Sequence, residues 1–126
     1  ERGGPLRVLF AGAMTARKGL PDLFEAVRML GRRDVRLVVA GAPAMPMGFY
    51  RERGGDFEYW PPRAHAAMLD VMAGCDVLVL PSLVEGRALV QQEAMACGLP
   101  VVATREAGAA ELIHFLRGQG IRFLSW

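Results

Sequence analysis

Two carboxylates, Glu85 and Glu93, stand eight positions apart in the segment 81–93, with Gly86 and Arg87 directly after the first. If a helix begins near Ala88, Glu85 lies just ahead of it and Glu93 sits about a turn and a half inside. Exposed N–H groups at such a helix start, here the backbone of Gly86, Arg87, Ala88 and Leu89, can hold an anion, while flanking carboxylates accept hydrogen bonds from sugar hydroxyls. Carboxylates also favour helix starts for dipole reasons alone, by about 0.3–1 kcal/mol each, so the segment by itself leaves both roles open. A second candidate follows Gly12, where Arg17 and Lys18 form a pair of cations just before Gly19. A glycine at a strand end with two cations ahead of a helix suits an anionic group. On this loop alone, a simple solvated basic pair is the plainer explanation.

Several other chemistries are excluded by what these loops lack. The dinucleotide fingerprint needs three closely spaced glycines and the ATPase phosphate loop needs Gly-Lys-Ser/Thr; the 12–19 loop has neither. Ser82 lacks the G-x-S-x-G frame of a nucleophile elbow. His65 and His114 are isolated from carboxylates and cysteines at ligand spacing, which leaves them surface or helix-packing roles and predicts no metal site. Phe57, Tyr59 and Trp60 cluster near a strand end, where they fit either a core or the flank of a planar base. Glu106, Gly108 and Glu111 follow the last predicted strand without a sharp pattern.

These loops need elements to hold them. Residues 7–12 form an apolar run ending in glycine, a strand buried on both faces. Leu20, Leu23, Phe24, Val27 and Leu30 recur at helical steps, with Pro21 and Asp22 suited to the first turn and Gly31 to the stop. Residues 35–41 repeat the strand pattern. Residues 42–55, with their prolines and glycines, predict an irregular loop holding at most a short helix. A brief strand over 57–60, a helix over 64–74, a third buried strand over 76–81, a helix over 88–97 stopped by Gly98, a strand over 100–104 and a last helix over 109–115 follow. Alternating strands and helices imply a parallel sheet with right-handed crossovers and both faces covered. Ligands of such open sheets bind beyond the carboxyl ends of the strands, where Gly12 and Glu85 fall.

The chain has 126 residues, room for one domain, with 52% apolar and 22% charged residues, the balance of a globular protein. Fifteen basic and thirteen acidic residues leave a net charge of +2, with no block of like charge to mark a nucleic-acid or membrane patch. Fourteen of the basic residues are Arg and the only lysine is Lys18. Cys75 and Cys97 lie far apart without disulfide density, which predicts a reduced, cytoplasmic setting. No apolar run approaches a membrane span, so any membrane contact would be peripheral. A start at Glu1 and an end at Trp126 suggest a piece of a longer polypeptide.

The Glu85-to-Glu93 spacing, followed by Ala94-Met95-Ala96-Cys97-Gly98-Leu99-Pro100-Val101-Val102-Ala103-Thr104, resembles the E-x7-E segment of family 4 retaining glycosyltransferases. Phe10-Ala11-Gly12, Arg17-Lys18-Gly19 and the segment from Asp76 to Ser82 fall in that family's order, and the resemblance runs from about Leu6 to Ile113. It implies a Rossmann-like three-layer αβα sandwich with a parallel sheet, the C-terminal, donor-binding half of a two-domain GT-B enzyme. Carried over, the pattern makes Lys18 a diphosphate ligand with Arg17 beside it, and Glu85 an acceptor of hydroxyls on the transferred sugar. Glu93 would hold the ribose hydroxyls, and the backbone over residues 86–89 would face the diphosphate. The substrate would be a nucleotide-diphosphate sugar with no further cofactor, and no metal would be needed, in keeping with the lack of Asp-x-Asp. No nucleic-acid partner is expected.

Two positions depart from the family. Ala13 stands where members often carry a second diphosphate-binding Arg, and Arg87-Ala88 replaces the usual Phe-Gly. An arginine at a helix start is disfavoured unless an anion is near, so Arg87 is a candidate substitute for the cation missing at 13; pairing with Glu85 or pointing to solvent explains it equally. The expectation is therefore residues 1–126 as a donor-nucleotide domain. Its acceptor-binding N-terminal half and terminal helices would lie outside the sequence, with residues 120–124 faintly matching the family's next strand. The alternatives are a non-catalytic nucleotide-binding or partner-binding module and another Rossmann-like enzyme such as a sugar-nucleotide epimerase. The isolated domain is expected to be inactive in turnover and, through a truncated edge, prone to self-associate. The parent enzyme is expected in the cytoplasm or at the inner face of its membrane.

Overall fold

A computed structural model describes residues 4–16, 19–31, 33–62, 65–80 and 88–103. Five strands form one sheet: β1 (Leu6–Ala11), β2 (Val35–Ala40), β3 (Glu58–Trp60), β4 (Val77–Leu80) and β5 (Val101–Ala103). Helices α1 (Leu20–Leu30), α2 (Met47–Gly54), α3 (His65–Ala73) and α4 (Ala88–Ala96) alternate with them. The strand order is β3-β2-β1-β4-β5 and every pairing is parallel.

Side-chain alternation along β1 divides the core in two. Leu6, Val8 and Phe10 point to one face with Leu37, Val39, Val77 and Val79, where Leu20, Leu23 and Phe24 of α1, Tyr50 of α2 and Phe57 cover them. Leu9 and Ala11 point to the other with Val38, Ala40, Leu78 and Leu80, under Val71 and Met72 of α3 and Ala94 of α4. This is what right-handed crossovers require: the chain steps outward from β1 to β3 with α1 and α2 on one side, then returns past β1 to β4 and β5 with α3 and α4 on the other. The result is the three-layer αβα sandwich that the residue pattern predicts.

Local signals account for the boundaries. The helix α1 begins with Pro at its first turn and ends where Gly31, at φ 63°, donates its N–H to the Val27 carbonyl. Within the 42–55 stretch the short helix is α2, whose sequence MGFYRERG carries no apolar stripe; Tyr50 is its buried residue. Phe57 stacks on Phe24 with ring centroids 5.4 Å apart, so the aromatic at that position is core. The Arg7 guanidinium reaches across β2 to the edge strand, with 2.9 Å from Nη1 to Glu58 Oε1. Its Nε donates to the Gly74 carbonyl at 2.7 Å, and Trp60 Nε1 donates to Glu58 Oε2 at 2.7 Å. Hydrogen bonding to Arg7, aided by that from Trp60 and opposed by partial burial, holds the Glu58 carboxyl below its ordinary range. Cys75 and Cys97 are free thiols. The predicted helix over 109–115 and strand over 120–124 lie outside the described residues, as do His114, Glu106, Gly108 and Glu111.

Candidate functional site

In an all-parallel sheet built in the order 3-2-1-4-5, the chain reverses its direction of travel between β1 and β4. The helices after these two strands leave on opposite faces, the arrangement in which open α/β sheets bind ligands beyond the carboxyl ends of the strands. Val8 pairs with Val77 and Leu9 with Leu78 along this seam. The segments that follow the two strands are 12–19 and 81–87, the two loops that carry the candidate residues. The strands that lead into them begin about 70 residues apart in sequence and pair side by side in the sheet.

Within the first loop the described backbone is tightly held. Gly12, at φ 147°, donates its N–H to Ala40 O at 2.9 Å, and Met14 donates to Ala42 O at 2.9 Å. Met14 also bridges Pro43 in parallel register. The β1–β2 pairing therefore continues past the strand ends into both loops. Gly41 makes this approach possible: a Cβ built there would lie 1.7 Å from the Gly12 carbonyl oxygen. Gly41 in turn donates to Trp60 O at 3.1 Å and accepts from the Tyr59 hydroxyl at 2.9 Å, so the ends of β1, β2 and β3 are joined in series. Gly19 caps α1 in the left-handed conformation, and its carbonyl accepts the N–H of Leu23 at 3.2 Å. Ala13 is exposed.

On the second side, α4 begins at Ala88, as its sequence predicts, with Leu89 in the same first turn. Its first N–H groups have no carbonyl partner within the helix. Glu93 lies five residues in, about 7.5 Å along the axis at 1.5 Å per residue, and is 8% exposed. A carboxylate this buried is not left unpartnered in a stable fold, and Glu93 is engaged. Among the expected site residues, Gly12 directly follows β1, Ala88 and Leu89 open α4, and Glu93 is buried on that helix. Lys18, Arg17, Glu85, Gly86, Arg87 and Ser82 lie outside the described residues.

The aromatic cluster divides. Phe57 is core, Tyr59 is half-buried and tied to Gly41, and Trp60 is half-buried on the opposite face against Glu58. Residue-pattern reasoning passes over Tyr50, whose hydroxyl contacts both the β1–α1 and β2–α2 loops. Beside it, an apolar cleft of about 260 Å³ is lined by Met14, Leu20, Phe24, Met45 and Phe49, with Arg53 at its margin. Among the described residues, no group of three or more His, Cys, Asp and Glu could hold a metal ion, and no helix is long and apolar enough to cross a membrane.

Comparison with known proteins adds the family context. A profile described as "Glycosyl transferases group 1" matches residues 5–121. The D-inositol 3-phosphate glycosyltransferase of Pseudarthrobacter chlorophenolicus is 35% identical over 121 residues, covering 87% of this chain and 29% of that protein. The chain thus spans less than a third of this curated relative. Among solved structures, WaaG, a glycosyltransferase involved in lipopolysaccharide biosynthesis, superposes with a TM-score of 0.64 at 25% identity, over 92% of this chain and 33% of that one. The C-terminal domain of a group 1 family protein (LpcC) from Francisella tularensis superposes with a TM-score of 0.70 at 20% identity, over 91% and 75% of the two chains, a likeness of fold alone.

Proposed function

Since the chain belongs to the group 1 glycosyl transferases, we propose that it is the C-terminal, donor-binding domain of a two-domain GT-B enzyme. That enzyme would transfer a sugar from a nucleotide-diphosphate sugar to an acceptor hydroxyl. The observation that carries this reading is the parallel pairing of β1 with β4, from whose adjacent ends the chain runs on into the Gly12 loop and toward α4, with Glu93 buried on that helix. The same fold occurring as a C-terminal domain in the Francisella protein supports the domain assignment.

In this proposal Lys18, with Arg17 adjacent, and the N–H groups over residues 86–89 face the diphosphate. Charge grows there as the sugar leaves, so fixed donors stabilise the transition state more than the ground state. Glu85 accepts hydrogen bonds from the transferred sugar and Glu93 from the ribose. The bond from the anomeric carbon to the diphosphate breaks while the bond to the acceptor oxygen forms on the same face, with retention, and the acceptor proton passes to the departing diphosphate. No metal enters this scheme. The acceptor and its binding domain come from the rest of the protein, which would work in the cytoplasm or on the inner face of its membrane through peripheral contact. Self-association of the isolated chain belongs to the same proposal and is read by sedimentation.

Titration with UDP, GDP, ADP and their sugars by calorimetry tests the assignment. Binding of one nucleotide family, weakened by Lys18→Ala and by Glu93→Gln with the fold intact, is the expected result. Binding to none would overturn it in favour of a partner-binding module, and nucleotide binding insensitive to both substitutions would overturn the residue roles.

A further inference from the structure

The Tyr50 hydroxyl is saturated. A phenol oxygen offers one proton and accepts through two lone-pair directions. Here the proton goes to Met14 O at 2.7 Å, and the amides of Ala44 and Met45 donate to the oxygen at 2.8 and 3.1 Å. The ring is 4% exposed and packs edge-to-face on Phe49, with centroids 5.4 Å apart. Nothing in this arrangement is left over for a ligand. What it does is mechanical: where the backbone pairing of the β1–α1 and β2–α2 loops ends, at Met14 and Pro43, one side chain joins them again.

Beyond Met14, Thr15 donates its N–H to Ala13 O at 2.9 Å, and Gly19, the N-cap of α1, donates to Ala16 O at 3.0 Å. Residues 17 and 18 fall in sequence between Ala16 and Gly19, and Lys18 is one of them. We propose that Tyr50 is a positioning residue: its hydroxyl clasps the two loops and so sets the order of the segment that carries Lys18, raising anion affinity at the β1–β4 seam without touching the anion. The benefit is preorganisation, since a loop already held in its binding geometry loses less freedom when the ligand arrives. The consequence for ligand binding rests on the donor-domain assignment; the clasp itself does not.

Tyr50→Phe removes the oxygen and keeps the ring. Phe57→Leu is the control, a change in the same core layer that makes no side-chain bond to either loop. Both are measured well below their unfolding midpoints, by amide hydrogen exchange and by calorimetry with UDP, GDP and ADP against the parent nucleosides. Tyr50→Phe is expected to speed exchange at Ala44 and Met45 by about tenfold or more and to speed exchange through residues 15–19. It should weaken nucleoside diphosphate binding by about five- to tenfold, the scale of one lost hydrogen bond, with nucleoside affinity unchanged. Phe57→Leu should lower the midpoint and move neither readout. Unchanged diphosphate affinity in Tyr50→Phe, or an equal loss in Phe57→Leu, overturns the proposal. If the wild-type chain binds no nucleoside diphosphate, the donor-domain assignment falls and exchange alone decides the clasp: acceleration confined to Ala44 and Met45 overturns it.

Discussion

Replacing Gly41 with Ala should separate the strand ends on which the candidate site rests. The added Cβ would lie 1.7 Å from the Gly12 carbonyl oxygen, and an ordinary contact begins at 3.4 Å, so the two backbones must part by about 1.7 Å. Neither atom is the end of a flexible side chain, so the displacement falls on the loops. The bonds from Gly12 N to Ala40 O and from Met14 N to Ala42 O, both 2.9 Å, would stretch past useful length. At about 1 kcal/mol per lost bond and about 1–3 kcal/mol for the overpacking, the expected loss is about 3–5 kcal/mol. Against a domain stability of about 5–15 kcal/mol, that lowers the unfolding midpoint by about 10–20 °C. Gly48→Ala is the matched contrast, because Gly48 sits in α2 and a Cβ added there would meet nothing within 4 Å. There the same methyl group should stabilise by about 0.5 kcal/mol through reduced backbone freedom. Circular dichroism melts of the two variants give the comparison. A Gly41→Ala midpoint within about 2 °C of wild type would refute the claim that this approach is sterically closed.

Glu58→Gln should cost about 1–2 kcal/mol at neutral pH, discounted because both partners are about a quarter exposed. Because the folded Glu58 carboxyl is held below its ordinary value, the stabilisation is full above the unfolded value of about 4.3 and is lost progressively as pH falls from there through the lower folded value. Denaturant melts should therefore show the wild-type advantage shrinking on acidification, and a constant difference down to low pH would exclude the ion pair as its source. Lys18→Arg replaces a compact ammonium with a longer planar fork and should weaken diphosphate binding several-fold by calorimetry; unchanged affinity would make the lone lysine incidental. Arg87→Ala should lower nucleotide-sugar affinity and flatten its salt dependence, and if neither changes, Arg87 does not replace the cation absent at Ala13.

The elements that can be read from residue order are those in which one force acts alone. The strands β1, β2 and β4 are apolar nearly throughout because both faces are buried, and α1 carries an unbroken stripe between a proline and a glycine. The segment α2 is legible only as a loop with room for a helix, because it buries Tyr50 and otherwise meets solvent. Strand order is a matter of long-range pairing that no local pattern encodes, and the order β3-β2-β1-β4-β5 is read from the structure alone. The site is half legible. Gly12, Ala88 and Glu93 announce themselves by type and spacing, whereas Gly41 and Tyr50 act through distances to residues far along the chain, Gly12 and Met14.

The position of the seam also has a consequence for synthesis. Strands β1 and β2, joined by α1, can pair as soon as both have left the ribosome, but β4 lies about 70 residues behind β1. At roughly 5–20 residues per second, that is about 4–14 s during which one edge of β1 waits without its neighbour. The waiting edge belongs to LRVLFA, an apolar strand without proline, the kind of segment that recruits another chain when left open. The crevice proposed to hold the donor is thus also a late join in the nascent sheet, and a place where a delayed chain is open to misassembly.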